Sequence, residues 1–318
     1  MKIESEKLQL VLALVNQHQE LLPPGTNKNT AQQFKKLVIK RLFIENCLIF
    51  LLQFVGLKLT SLIVHPSPLW FATGTASAYL FLRGYSVLPG IWLGSYVSFY
   101  SEGIGAWLSL SWATTFTLQG LLLLWFSYRY LSPTLIFHHL KTFMQFIAFC
   151  IILTGIASLM FIGIGTLSQF QSAVSLHLWL HWWLGNFNGI LIFACSLITW
   201  DAYFPDFHAT KLLKSTLVSF GLLFLLIITL VFCHTMLSTS SLFLFIALLN
   251  MFISARLGWC GAISVSFLSA IVLCLAAMVD APVFYTYSST LTLLLIQLFL
   301  AINTVFGLSI ALSRKNIN

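Results

Sequence analysis

Charge is what this sequence has least of. Only 8% of its 318 residues are Asp, Glu, Lys or Arg, against about a quarter in a soluble globular domain. Acid is scarcer still, with 8 Asp and Glu in the whole chain. So few charges exclude an ordinary water-soluble domain. The chain also lacks H-E-x-x-H, G-x-S-x-G and Walker sequences, and it has no aspartate pair inside an apolar segment. Metalloprotease, serine-hydrolase and nucleotide-driven pump chemistry therefore have no carrier. Nothing fixes a Ser and a His into a nucleophile–base pair. No two cysteines form C-x-x-C; Cys47, Cys150, Cys195, Cys233, Cys260 and Cys274 all fall in or beside apolar segments. The plain reading is small buried hydrophobes, with disulfides or a metal as alternatives. Residues Met1 to Glu20 carry Lys2, Glu4, Glu6 and Lys7 and no long apolar core, so the pattern of a cleavable signal peptide is absent.

What fills the chain instead is hydrocarbon: 59% hydrophobic residues and a mean hydropathy of +0.94. This is the composition of an integral membrane protein. The net charge of +8 reflects basic residues scattered between apolar spans, which topology explains without nucleic acid.

Three regions follow. Residues 1–41 read as a cytoplasmic N-terminal helix and a basic linker. Leu8, Val11, Leu12 and Val15 share one helix face, Pro23, Pro24 and Gly25 stop the helix, and FKKLVIKR (34–41) suits an anionic inner leaflet. Residues 42–312 hold ten apolar segments, at 42–64, 69–83, 86–100, 104–127, 140–165, 177–200, 214–234, 241–256, 259–279 and 289–312. Residues 313–318 form a short cytoplasmic tail. The expected fold is all-α, a polytopic transmembrane bundle of about ten helices (8–10), with both termini cytoplasmic. With the N-terminus inside, every Lys and Arg except Lys58 falls on the inner side, while Glu102 and Asp280 fall outside. The positive-inside rule supports an even number of crossings in the bacterial inner membrane.

The stretch His177 to Trp200, HLWLHWWLGNFNGILIFACSLITW, is the expected central helix. Gly185 and Gly189 form a small-xxx-small pair that admits another backbone. Asn186 and Asn188 lie near mid-span, where an amide needs a partner. Gly90 and Gly94 form a second such pair, and the two pairs suggest that the third and sixth helices cross closely. In the first span, Lys58 either snorkels outward or faces a polar cavity. His65, His177, His181 and His234 sit at one outer level. Zinc or pH sensing is open to them, but no acid or Cys joins them and interfacial histidines need neither, so no metal or cofactor is expected.

Three blocks in order carry a resemblance. PSPLWFATGTASAYLFLRGYSVLPGIWLGSY (66–96), WWLGNFNGILIFACSLITW (182–200), and the stretch from LLNMFISARLGWCGA through DAPVF to LTLLLIQLFLAINTVFGLSIAL (248–312) resemble the membrane-associated sensor type-1 (MASE) domains of bacterial integral membrane sensors. Pro68, Trp70, Gly74, Gly84, Pro89, Gly90, Gly94, Trp183, Gly185, Arg256, Gly258 and Gln297 match that pattern. Asn186 departs from it, standing where the family's W-W-L-G-D block has an acid. The resemblance implies a helical sensory module that usually precedes a cytoplasmic histidine kinase or a cyclic-dinucleotide enzyme. No such output follows Leu312, so the expected partner is a separate kinase or cyclic-nucleotide signalling protein.

The leading expectation is thus a non-enzymatic membrane sensor. Its candidate ligand-lining residues are Trp70, His177, His181, Trp183, Asn186, Asn188, Asn250 and Gln297. The alternatives are a transporter or substrate-binding membrane component, favoured by glycine-interrupted helices, and an intramembrane enzyme. Neither ligand nor oligomeric state is legible.

Overall fold

The structure, a computed structural model, describes residues 28–63, 69–131, 136, 138–168, 175–198, 221, 238–278 and 288–315. Every regular element among the described residues is helical. The α-helices are α1 (Lys28–Ile63), α2 (Phe71–Arg83), α3 (Leu88–Ser101), α4 (Ala106–Phe126), α5 (Leu140–Leu167), α6 (Leu176–Gly189), α7 (Thr239–Met278) and α8 (Ser289–Lys315). Two π-turns, Ser127–Leu131 and Ile190–Ala194, continue α4 and α6. The expected N-terminal helix, the segment 214–234 apart from Gly221, His65, Pro68, Cys233 and His234 lie outside the described residues. Cys47, Cys150, Cys195, Cys260 and Cys274 are free.

Ten membrane-length helices are not what forms. Among the described residues five helices are long and apolar enough to cross a bilayer: Lys36–Leu59, Ala106–Leu131, Leu140–Leu167, Thr239–Ala277 and Thr290–Ser313. The reason is local. The segments 69–83 and 86–100 make helices of 13 and 14 residues, and a spanning helix needs about 20. The central segment is α-helical for 14 residues before its π-turn. The eighth and ninth segments are joined in α7, interrupted only at Gly258 (φ 63°, ψ −140°). At the other end of the chain α1 starts at Lys28, so the basic stretch 34–41 is part of the first helix rather than a separate linker.

Gly258 is a reversal. A Cβ on Gly261 would lie 2.7 Å from the carbonyl oxygen of Ile253, whereas residues eight apart in a straight helix are separated by ~12 Å. The chain therefore doubles back, and residues 239–257 and 259–278 are two arms. Gly84 turns α2 toward α3 with nearly the same backbone, φ 67° and ψ −152°. Arg83 and Arg256 stand beside these two turns, in keeping with an inner face. Only glycine enters this region without strain. Gly258→Ala is therefore expected to cost about 1–2 kcal/mol, and thermal melting in detergent reads it; an unchanged melting temperature removes the strained turn.

Helix directions follow from paired residues. α1 and α3 run parallel at a constant offset: Gly90 N donates to Asn46 Oδ1 (2.8 Å), Ser98 Oγ to the Phe54 carbonyl (3.4 Å), and Lys58 pairs with Glu102 (2.9 Å). Lys58 thus meets an acid near the C-terminal ends of α1 and α3. Glu45 sits between Arg41 (2.9 Å) and Arg83 (3.5 Å) at the opposite end. α4 and α5 are antiparallel, since Trp112 Nε1 donates to the Phe161 carbonyl (3.1 Å) while Phe126 stacks on Phe149. α5 and α6 are antiparallel too: Trp179 Nε1 donates to Gly155 O (3.1 Å) and Trp183 Nε1 to Ile151 O (2.9 Å). The 239–257 arm is parallel to α8, with Phe243 stacked on Phe299 and Asn250 bonded at Asn303.

Candidate functional site

The buried polar groups sit on two sides of α6, one facing α2 and α5 and the other facing α8. α2 begins inside the protein. Trp70 N donates to Gly185 O at 3.2 Å, and Gly185 lies nine residues, or ~13 Å, along α6 from its first residue, Leu176. The close approach depends on two glycines: a Cβ on Gly189 would collide with the Trp70 carbonyl, and one on Gly74 with the Gly189 carbonyl. One turn along, Thr73 Oγ1 donates to Asn186 Oδ1 at 2.6 Å. The Asn186 amide nitrogen donates to the Trp182 carbonyl at 3.0 Å, with Ser158 Oγ of α5 at 3.5 Å. Asn186 is wholly buried and links three helices.

Beside Trp70, the start of α2 packs into a cluster of rings from α4, α5 and α6. Trp70 packs on Trp182 (centroids 4.7 Å), and Trp112 and Phe161 close the group at 5.4–5.9 Å from Trp182 or each other. The cluster is tightly packed, which holds the short α2 in place without a full-length span.

On the other side of α6 a second polar group faces α8. Gln297 Nε2 donates to the His181 carbonyl (3.0 Å), its Oε1 lies 3.0 Å from His181 Nδ1, and Asn188 Nδ2 donates to the Gln297 carbonyl (2.9 Å). Gln297 and Asn188 are fully buried and His181 is 2% exposed. Two nearby polar atoms, His181 Nε2 and Asn188 Oδ1, have no hydrogen-bond partner. This wet chemistry in an apolar interior is what marks the site.

A family model of MASE1 matches residues 42–316. The chain belongs to the MASE1 family. It is a membrane-embedded, all-helical sensory module of the bacterial inner membrane, a kind of domain that senses rather than catalyses and that generally couples to cytoplasmic signalling output. No curated protein and no solved structure matches the chain.

The candidate residues of this MASE1 chain fall into separate groups. His181, Asn188 and Gln297 come together. Trp70 and Asn186 lie across α6 from them, on the α2 side. Asn250 belongs to neither group: its amide nitrogen donates to the Asn303 carbonyl (2.7 Å), its Oδ1 accepts from Ser254 (3.0 Å), and it packs against Gly307. Gln297 and Asn303 are six residues, ~9 Å, apart along α8. Trp183 faces α5 and stacks on Trp179 (4.8 Å). His177 is exposed while His181 is buried, so the pair presents no common outer ligand face.

The glycine pairs correct a further expectation. Gly90 and Gly94 pack on α1, where added Cβ atoms would lie 2.5 Å from Asn46 O and 2.6 Å from Phe50 O. Gly185 and Gly189 pack against Trp70 and Gly74 of the α2 start. The third and sixth segments therefore do not meet through these glycines; each pair serves a parallel neighbour. Thr73, Ser158, Trp182, Trp112 and Phe161 were not singled out from sequence. Thr and Ser in apolar helices ordinarily bond their own backbone, as Thr154 does to Cys150 O, so the two that cross helices carry no distinguishing signal.

Proposed function

We propose that this MASE1 chain senses a small ligand or membrane partner at the buried polar groups that α6 carries on its α2 and α8 faces. It would pass the signal through the inner end of α8 to a cytoplasmic kinase or cyclic-nucleotide signalling protein. The candidate lining is His181, Asn186, Asn188 and Gln297 with Trp70; His177, Trp183 and Asn250 support the helices from outside it. One observation carries the reading. Gln297 ties α8 to α6 by side chain and main chain at once, so any shift of α6 at His181 or Asn188 is felt by the helix that ends at Lys315. A ligand that binds the two packings unequally shifts their populations.

The same reading includes cytoplasmic termini. The 239–257 arm runs parallel to α8, judged by its pairings at Phe243–Phe299 and Asn250–Asn303.

A start of α2 inside the bundle also suits a transporter, where broken helices frame the substrate. Purification of the tagged chain from native membranes in mild detergent separates the two. A signalling output protein in stoichiometric amount is the expected result. Solute counterflow in proteoliposomes, with no such protein co-purifying, would overturn the sensor reading.

A further inference from the structure

We propose that the α6–α8 face binds an uncharged, lipid-soluble molecule that donates hydrogen bonds, with His181 Nε2 and Asn188 Oδ1 as the two acceptors. This rests on the sensory reading above and names the chemistry of its ligand.

The polarity of the site follows from two backbone carbonyls. A carbonyl only accepts. Because Gln297 sits against the His181 carbonyl, its nitrogen must be the atom there. Its oxygen is then the atom facing His181 Nδ1, and that ring nitrogen must carry the proton. In the neutral ring the other nitrogen, Nε2, is left with a bare lone pair. Asn188 is fixed in the same way. Its nitrogen donates to the Gln297 carbonyl, so its unpartnered atom is the oxygen. Both unpartnered atoms are therefore acceptors, and both belong to side chains at least 98% buried.

His181 and Asn188 are seven residues apart on α6, which places them on one helix face about two turns apart. They lie ~8 and ~18 Å along α6 from its first residue, Leu176. No charged residue lies in residues 176–198 or 289–313, nor between Lys141 and the end of α5, nor before Arg83 in α2. An anion would find no cation there, and two neutral acceptors do not select one. A hydroxyl or amine hydrogen on an apolar body meets both requirements. A molecule offering only acceptors leaves the lone pairs opposed and loses the contact.

The matched pair 4-octylphenol and 4-octylanisole tests this, because the two differ only in the donated hydrogen and its methyl replacement. Binding to the full chain in phosphatidylcholine nanodiscs is measured by equilibrium dialysis, with empty nanodiscs subtracted. Saturable binding of the phenol, at least ~tenfold tighter than the anisole, is expected from one buried hydrogen bond. A single hydroxyl reaches one of the two acceptors, so either His181→Phe or Asn188→Leu should remove that preference, and its survival in both variants overturns the proposal. The wild-type phenol-to-anisole ratio decides the matter even where a variant fails to fold. Equal binding of the two probes, tighter binding of the anisole, or no saturable binding of either overturns the proposal. If the output protein still co-purifies in such a case, the sensor reading stands without this ligand class. If the phenol binds selectively and no output protein is found, the sensor reading fails alone.

Discussion

Replacing Gly189 by leucine is expected to unfold the centre of this bundle. The position has no room, because the atom that a Cβ would meet is the Trp70 carbonyl oxygen. Backbone at the first turn of α2 cannot swing aside as a side chain can. Trp70 is also anchored twice: its N–H donates to Gly185 O and its ring is held between Trp182 and Phe161. Separating α2 from α6 would break the Thr73–Asn186 bond as well and leave a buried amide exposed to hydrocarbon. Overpacking alone costs about 1–3 kcal/mol, and the lost hydrogen bond adds about 0.6–1.7 kcal/mol in a membrane interior. The chain should lose its melting transition in detergent or express only as aggregate. Gly163→Leu is the control, since a Cβ there has nothing within 4 Å. A Gly189→Leu protein that melts with the control would mean that α2 does not pack on α6 as described.

The long features of the fold are legible in the sequence and the short ones are not. The apolar runs 104–127, 140–165 and 289–312 become α4, α5 and α8 because each is long enough to satisfy its own backbone across the bilayer. The runs 69–83 and 86–100 look similar in composition. Yet they form short helices, since the turn at Gly84 and the start of α2 at Trp70 leave neither with a full span. Hydropathy reports how apolar a stretch is, not whether it starts at the membrane surface. In this chain the start of α2 is set by a tertiary contact, the Trp70–Gly185 bond. Gly258 tells the same story, since a φ of 63° is invisible in a run that reads as helix on both sides.

The candidate site was legible by residue type and not by partner. Amides at 186, 188 and 297 stand out in apolar helices because each must bond something. All three are buried and bonded across helices. Which helix each would find depends on the rotation of α6, and neighbouring residues point opposite ways there. Asn186 meets α2 and α5, and Asn188, two residues on, meets α8. Asn250 was grouped with them on depth alone, but depth does not fix azimuth, and it pairs with Asn303 instead. The glycine pairs misled for the same reason. A small-xxx-small pattern says that some backbone comes close and leaves open which one.

Removing the Gln297 amide should uncouple sensing from output, and a compensated variant can tell that effect from simple damage. Gln297→Leu keeps the bulk of the side chain but deletes two hydrogen bonds, those to the His181 carbonyl and ring. The Asn188 bond survives, because it goes to the main chain at position 297. His181 is left with a buried, unpartnered N–H, so the loss should be about 1–3 kcal/mol. For a chain of this size that lowers the melting temperature by about 1.5–4.5 °C. Replacing both partners by apolar groups removes the stranded donor and can be nearly neutral, so His181→Leu/Gln297→Leu should recover most of the lost stability. It cannot recover the directional link between α6 and α8. The double variant is therefore expected to melt near wild type while its output, read as partner activity in native membranes, stays unresponsive. If the double variant regained both stability and response, the Gln297 clamp would be packing only, and the signal would have to reach α8 by another route.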